Sequence, residues 1–211
     1  EQRLTNRSFV ANELLSPKTK ITLDDFIDIK FDNSYSKNSR QYQFLLQLAK
    51  SNQEIALKVE PWDRQTNFRN RHAGFNSCLM AHEWLAEMNA QPIPMTKDIV
   101  ATCKDWFVEI DRKQTDEWGD ITTISRLGRS YPIQGSLDTL RAVYGTPNDK
   151  TNSIDMSGGD GLFYIIEEGE GGRMIYGMHN FGSSRNRESV HYSDQTFLFS
   201  QEALRFVPEN L

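Results

Sequence analysis

Hydrophobic positions change their period near residue 115. Before it, apolar residues recur three and four apart, as on one face of a helix; after it, they fall in short β-branched and aromatic runs punctuated by glycine. The first half therefore predicts helices. One opens the chain, with Leu4, Phe9, Val10, Leu14 and Leu15 as its buried side, and stops before Pro17. A second begins at Thr22, a good N-cap, with Asp24 and Asp25 at the positive end of the helix dipole and Phe26 and Ile29 as the apolar stripe. After a turn-like stretch at 32–36, residues 39–51 predict a longer helix presenting Tyr42, Leu45, Leu46 and Ala49. Residues 53–60 predict a short one that Pro61 ends. The polar stretch 62–67 reads as a loop with the Trp62 indole turned inward. A helix over 73–88 offers Phe75, Leu79, His82, Trp84 and Leu85 to a core, and the Pro92-Ile93-Pro94 run breaks it. Thr96 caps the last helix, where Ile99, Val100, Cys103, Phe107 and Ile110 recur at helical spacing.

Beyond Trp118-Gly119-Asp120 the run Ile121–Ile124 is β-branched, Gly128-Arg129 reads as a turn and Tyr131-Pro132-Ile133 as extended. Residues 135–142 fit a short helix or an irregular connection, and Val143-Tyr144 resumes an extended run. The polar stretch 146–161 is expected to be a surface loop. Residues 162–166 and 173–177 flank Gly169-Glu170-Gly171-Gly172 and predict a β-hairpin with a loose turn. An irregular segment follows at 179–194, and the end, with Phe197, Leu198, Phe199, Leu204, Phe206 and Val207, is expected to pack. The expected fold is α+β: a helical segment over 1–115 and an antiparallel, β-rich segment over 116–211.

The 211 residues carry 24 Lys+Arg against 29 Asp+Glu, a net charge of −5, which argues against a nucleic-acid protein with a basic face. No apolar run approaches the roughly 18 residues of a membrane span, so no membrane association is expected. The chain begins at Glu1, without a methionine and inside a predicted helix, as a piece of a longer protein would.

Candidate chemistry is sparse. Cys78 and Cys103 match no zinc or redox pair, and both lie in helical segments; they read first as two buried apolar residues, with a disulfide between neighbouring helices as the alternative. Cys78 and His82 share a helical face, but two ligands do not make a metal site. Among His72, His82, His179 and His191 no ligand pair recurs at helical spacing. The glycines at 169–172 sit between two strand-like runs, unlike a dinucleotide loop. The segment 155–161 lacks the acidic ladder of a calcium loop. No metal and no cofactor are expected. Ser189, His191, Ser193 and Asp194 lie close together, but triad members normally converge from distant parts of a chain, so they read as structural hydrogen-bonding groups. A free-standing hydrolase built on His191 and Asp194 is the minor alternative.

The order of several phrases is more specific. Trp118-Gly-Asp-Ile, Pro132-Ile-Gln-Gly135, Asp138-Thr139, Ser157-Gly-Gly, and finally Gly182-Ser-Ser-Arg-Asn186-Arg-Glu-Ser189-Val-His191-Tyr192-Ser-Asp194-Gln195 resemble the C-terminal end of the penicillin acylase family. The resemblance is nearest to its acyl-homoserine-lactone and aculeacin-type branch. Thr5-Asn6-Arg7, the Thr22 helix and the Trp62-Asp63 loop fall in the family's order, while Arg187 and Val190 replace prolines common there.

The resemblance implies an N-terminal-nucleophile hydrolase with an αββα sandwich and a helical excursion. A serine freed by self-cleavage attacks an amide, its own α-amine serves as base, and an asparagine helps to form the oxyanion hole. It also implies that this chain begins after both groups and retains one auxiliary residue, Arg7, which helps to hold the site. The implied partners are the α subunit, the N-terminal part of the β subunit and a small-molecule amide substrate; the implied location is periplasmic or secreted. The alternative is a non-enzymatic binding or scaffold domain derived from an acylase. An isolated piece is expected to expose sheet edges and either to self-associate through them or to rely on the helical half for most of its core.

Overall fold

The structure, a computed structural model, describes residues 4–208; the chain opening at Glu1 and the last three residues lie outside this range. Polar caps start the early helices. Thr5 accepts from the Ser8 amide and begins α1 (Asn6–Leu15). Thr22 and Asp25 close a reciprocal capping box at the start of α2 (Leu23–Lys30). Lys18 and the Thr22 hydrogen bonds together hold the exposed Asp25 carboxyl down at about 2. Ser39 caps α3 (Arg40–Ser51), and Asn52 caps α4 (Gln53–Val59).

Two longer helices, α5 (Ala73–Met88) and α6 (Thr96–Glu109), complete the helical half. Thr96 is not the cap of α6. The Met95 carbonyl already accepts from the Asp98 and Ile99 amides, so the helix starts with Met95 as its capping residue and without a side-chain cap. In the helical half, three residues expected in the core, Leu4, Phe26 and Leu85, are exposed, as are Phe197 and Phe206 near the chain end. Leu4 precedes α1, whose buried residues are Asn6 and Val10; short α2 buries only Ile29; and Leu85 sits in the last turn of α5, where the chain emerges into solvent.

Leu45, Ile55, Phe75, Leu79, Ile99, Phe107 and Ile110 form the main core, and the β-rich half adds Trp118, Ile121 and Ile154 to it. Full burial of one such side chain stabilises by about 1.5–3 kcal/mol. Cys78 and Cys103 face each other across α5 and α6 and form a disulfide, with Cα atoms 5.8 Å apart. This corrects the first reading of two unlinked buried residues: helix packing brings them within disulfide range, which their separation in sequence does not reveal.

One helical turn, α7 (Trp118–Ile121), leads into the first sheet, so the strand begins at Thr122 rather than Ile121. Its strands are β1 (Thr122–Arg126), β2 (Arg129–Pro132), β3 (Val143–Asn148) and β4 (Ser153–Gly159), in the order β2-β1-β4-β3. Pairing is antiparallel except between β1 and β4, where Thr122 lies opposite Ile154. The expected surface loop at 146–161 is thus mostly strand. Asn148 and a left-handed Asn152 confine the polar residues to a short turn, while Ile154 and Met156 alternate into the core. Gly145 is needed there, because a Cβ would lie 2.6 Å from the Asp155 carbonyl oxygen.

The second sheet contains the expected hairpin, β5 (Leu162–Gly169) and β6 (Gly172–His179), extended by β7 (Arg205–Val207) after a short α8 (Thr196–Ser200). Ile124, Ile133, Val143, Met156, Met178 and Phe199 join the two sheets. The molecule is α+β, with helices in its N-terminal half and largely antiparallel sheets in its C-terminal half.

Candidate functional site

Arg7, the sequence-derived candidate, belongs to a polar cluster where α1 meets the connection at 135–142. The centre of that cluster is Asp138, 1% exposed and in the left-handed backbone region with φ +58°. Its Oδ2 accepts the Asn6 amide at 2.8 Å and the Gln41 side-chain amide at 2.8 Å; its Oδ1 accepts Arg7 Nε at 3.0 Å. A carboxylate here complements the positive end of α1 and satisfies an amide that has no partner within the helix. Asn6 completes the joint by donating from Nδ2 to the carbonyls of Ser34 and Asp138 and accepting the Ser36 amide. Tyr35 donates to the Leu137 carbonyl, and burial pushes its phenol pKa upward.

Among the described residues, the guanidinium of Arg7 is held along one edge only. Nε meets Asp138 and Nη2 donates to the Tyr144 hydroxyl at 3.2 Å, while 43% of the side chain remains exposed. Trp84 of α5 packs on the Tyr144 ring, with centroids 5.4 Å apart. Against the opposing effect of burial, the Asp138 hydrogen bond and the charges of Tyr144, Asp138 and Asp160 hold the Arg7 pKa above its ordinary value. Burial likewise pushes the Tyr144 phenol up. The arrangement presents a fixed cation able to donate hydrogen bonds to an oxygen. It has no means to attack a carbonyl or abstract a proton.

A second charged cluster lies deeper. Arg141, with no exposed surface, bonds to Asp160 at 3.1 Å, Glu202 at 3.1 Å and the Phe199 carbonyl at 2.8 Å, and sits 4.1 Å over the Phe199 ring. Lys30 also reaches Asp160, at 2.6 Å. Burial pushes the Lys30 pKa down and that of Glu202 up. Every direction around Arg141 is occupied, so the cluster joins α2, the first sheet and α8 without offering a surface to a ligand.

The remaining candidates take structural places. His191 Nδ1 and Asp194 pair at 2.9 Å on the surface, the Ser189 hydroxyl accepts the His191 backbone amide, and no serine hydroxyl bonds the imidazole among the described residues. Gly182 is needed beneath this segment, since a Cβ would lie 2.2 Å from the His191 carbonyl oxygen. Gly169 and Gly172 close the β5–β6 hairpin. Within 155–161, Asp160 is engaged by Arg141 and Lys30, and Asp155 by Thr123 and Asn148. His179 accepts the Phe181 and Gly182 amides. Sequence reasoning missed Asn6, Gln41, Asp138, Tyr144 and Arg141 as partners. The signals were indirect: Asn6 stood in the Thr5-Asn6-Arg7 phrase, and Asp138 in the Asp138-Thr139 phrase between two extended runs.

The fold and the phrases that run along it define a member of an N-terminal-nucleophile hydrolase family. The penicillin amidase family model matches residues 2–209, and the chain belongs to that family. It is similar to the acyl-homoserine lactone acylase PvdQ of Pseudomonas syringae pv. syringae (strain B728a), with 32% identity over 95 residues, 44% of this chain and 12% of the relative. The acyl-homoserine lactone acylase PvdQ of Pseudomonas savastanoi pv. phaseolicola (strain 1448A / Race 6) is 28% identical over 127 residues, 59% of this chain and 16% of the relative. The matched stretches thus span well under two thirds of either relative.

Proposed function

We propose that this chain forms the C-terminal part of the β subunit of an acylase that hydrolyses the amide bond of N-acylated small molecules, of the acyl-homoserine lactone or β-lactam type. The nucleophilic serine and the oxyanion asparagine come from the rest of the precursor, with which this chain assembles. The observation that carries the reading is the family match over nearly the whole chain, set against relatives of which it covers only a small part. The test is the reading frame that encodes the chain. An upstream serine after a self-cleavage junction supports the reading; a start codon immediately before Glu1 overturns it in favour of a separate, non-enzymatic module.

Within that acylase, Arg7 acts as a positioning residue. Its open edge faces away from Asp138, where it can hold the asparagine or backbone that receives the oxyanion. The 211-residue chain alone is expected to hydrolyse no amide, and turnover by the purified chain, free of contaminants, contradicts this. A location outside the cytoplasm follows from the family resemblance and is favoured by the disulfide, which persists in oxidising compartments. No helix among the described residues is long and apolar enough to cross a membrane. Leu162, Tyr164 and Ile166 lie more than half exposed on one face of edge strand β5, a surface suited to the rest of the precursor or, without it, to a second copy.

A further inference from the structure

We propose that reduction of the Cys78–Cys103 disulfide opens a zinc site formed by the two cysteine thiolates and the His82 imidazole. Cys78 and His82 lie four apart on α5 and therefore share a face, and α6 brings Cys103 to the same point. The two sulfurs and an imidazole nitrogen already lie within 4.8 Å of one another. Tetrahedral zinc, with Zn–S near 2.3 Å and Zn–N near 2.0–2.1 Å, needs ligand atoms about 3.5–3.8 Å apart. Once the sulfur–sulfur bond is broken, side-chain rotation can supply that separation without moving the helices.

The surroundings suit a bound metal. His82 is half-buried and has no hydrogen-bond partner among the described residues, so its ring nitrogens are open to a metal. Two thiolates and one neutral imidazole exactly cancel the charge of Zn²⁺, so the burial of Cys78 and Cys103 carries no net ion into the core. Beside Cys78 lies a cavity of about 40 Å³, lined also by Ser77, Trp106 and Thr122. The buried hydroxyls of Ser77 and Thr122 lack partners. A cavity of this size holds a water, and a water there can satisfy one of these hydroxyls.

The chemistry balances with an external dithiol or phosphine. A dithiol gives up two electrons and its two thiol protons as it closes to its own disulfide, or a phosphine takes the oxygen of one water and leaves that water's two protons; the S–S bond breaks and each sulfur takes one proton. Zn²⁺ then displaces both protons as two Zn–S bonds form, and His82 contributes a lone pair. The result is a cross-link between α5 and α6 in either redox state, disulfide when oxidised and metal-bridged when reduced. This inference is independent of the acylase reading.

The experiment uses the 211-residue chain, reduced with a phosphine under anaerobic conditions and titrated with Co²⁺, then with Zn²⁺. The expected result is one Co²⁺ per chain, with thiolate-to-cobalt charge-transfer absorption that Zn²⁺ abolishes, and no binding by the oxidised chain. Zinc should also raise the Tm of the reduced chain towards that of the oxidised one. H82Q keeps both cysteines and, when oxidised, the same cross-link, so its binding after reduction reports the ligand rather than the fold. Loss of a supporting contact alone costs about 10–100-fold in metal affinity, so H82Q should weaken binding at least about tenfold. Absence of stoichiometric cobalt in the reduced chain, equal binding by the oxidised chain, or wild-type affinity in H82Q each overturns the proposal.

Discussion

Arg141 divides its guanidinium among Asp160, Glu202 and the Phe199 carbonyl with no exposed surface, whereas Arg7 gives one edge to Asp138 and Tyr144 and leaves the other to solvent. Both arginines join elements far apart in sequence through carboxylates that are themselves largely buried. The difference lies in what remains unsatisfied. A cation enclosed on all sides can only specify packing; one anchored along a single edge keeps a fixed direction and spare donors. The comparison separates a residue that the fold encloses from one that keeps donors available to a further partner.

The largest effect is expected at the enclosed site. R141M keeps much of the side-chain length but leaves Asp160 and Glu202 without their shared cation, and removing one partner of a buried ion pair costs about 3–5 kcal/mol. Urea unfolding of the chain measures this. A cost below about 1 kcal/mol would show that Lys30 and Gln134 alone satisfy the two carboxylates, and the contrast between the arginines would fail.

Asp138 comes next. D138N keeps one acceptor oxygen and a side chain tolerant of the left-handed backbone, but it removes the charge and replaces the other oxygen by an NH2 that faces a donor, either Arg7 or the pair Asn6 and Gln41. Hydrogen bonds to a charged group contribute about 1.5–3 kcal/mol, and a loss within that range is expected. In the proposed acylase the same substitution should lower kcat through Arg7, and R7Q should lower it comparably.

R7Q itself should cost little stability. The guanidinium is more than a third exposed, so solvent screening discounts its attraction to Asp138 to below about 1 kcal/mol. A small change in the unfolding midpoint combined with a loss of about tenfold or more in kcat would set Arg7 apart from Arg141; such a loss corresponds to about 1.4 kcal/mol of transition-state stabilisation. Equal loss of stability at both arginines would show Arg7 to be a structural tie.

The contrast also explains what could be read in advance. Helices with a local signal were legible: Thr22 and Asp25 form the capping box, and Ile99, Cys103, Phe107 and Ile110 mark the buried face of α6. The strand over 153–159 was hidden because Asn148 and Asn152 before it, and its own Asp155 and two glycines, read as loop. Its two glycines at 158–159 lie at its end against β3, and Gly145 faces it at a close backbone approach that cannot be inferred from one strand alone. Arg7 was legible only through the family phrase. Asp138, Gln41 and Arg141 carry no periodic mark, because a buried charge depends on partners from distant segments: Gln41 is 97 residues from Asp138, and Arg141 is 61 from Glu202.

The smallest effect is a pH dependence at the edge of the enclosed cluster. Burial raises the Glu202 pKa above the ordinary 4.5, against the opposing attraction of Arg141 and hydrogen bonds from Gln134 and Arg141. The folded protein therefore holds this proton more tightly than the unfolded chain does. Its contribution is fully present below pH 4.5 and is lost as the pH rises through the raised folded value. Asp25 acts in the opposite direction and in another window: its carboxyl is lowered from 3.8 to about 2, so its contribution is lost only as the pH falls through that range. Unfolding midpoints measured from pH 4.5 upward should fall less steeply for E202Q than for the native chain. In R141M the slope should steepen or move to higher pH, because the principal attraction opposing the rise is gone. An unchanged slope in R141M would show that Arg141 does not tune the carboxylate it touches, and that enclosure alone sets the Glu202 proton affinity.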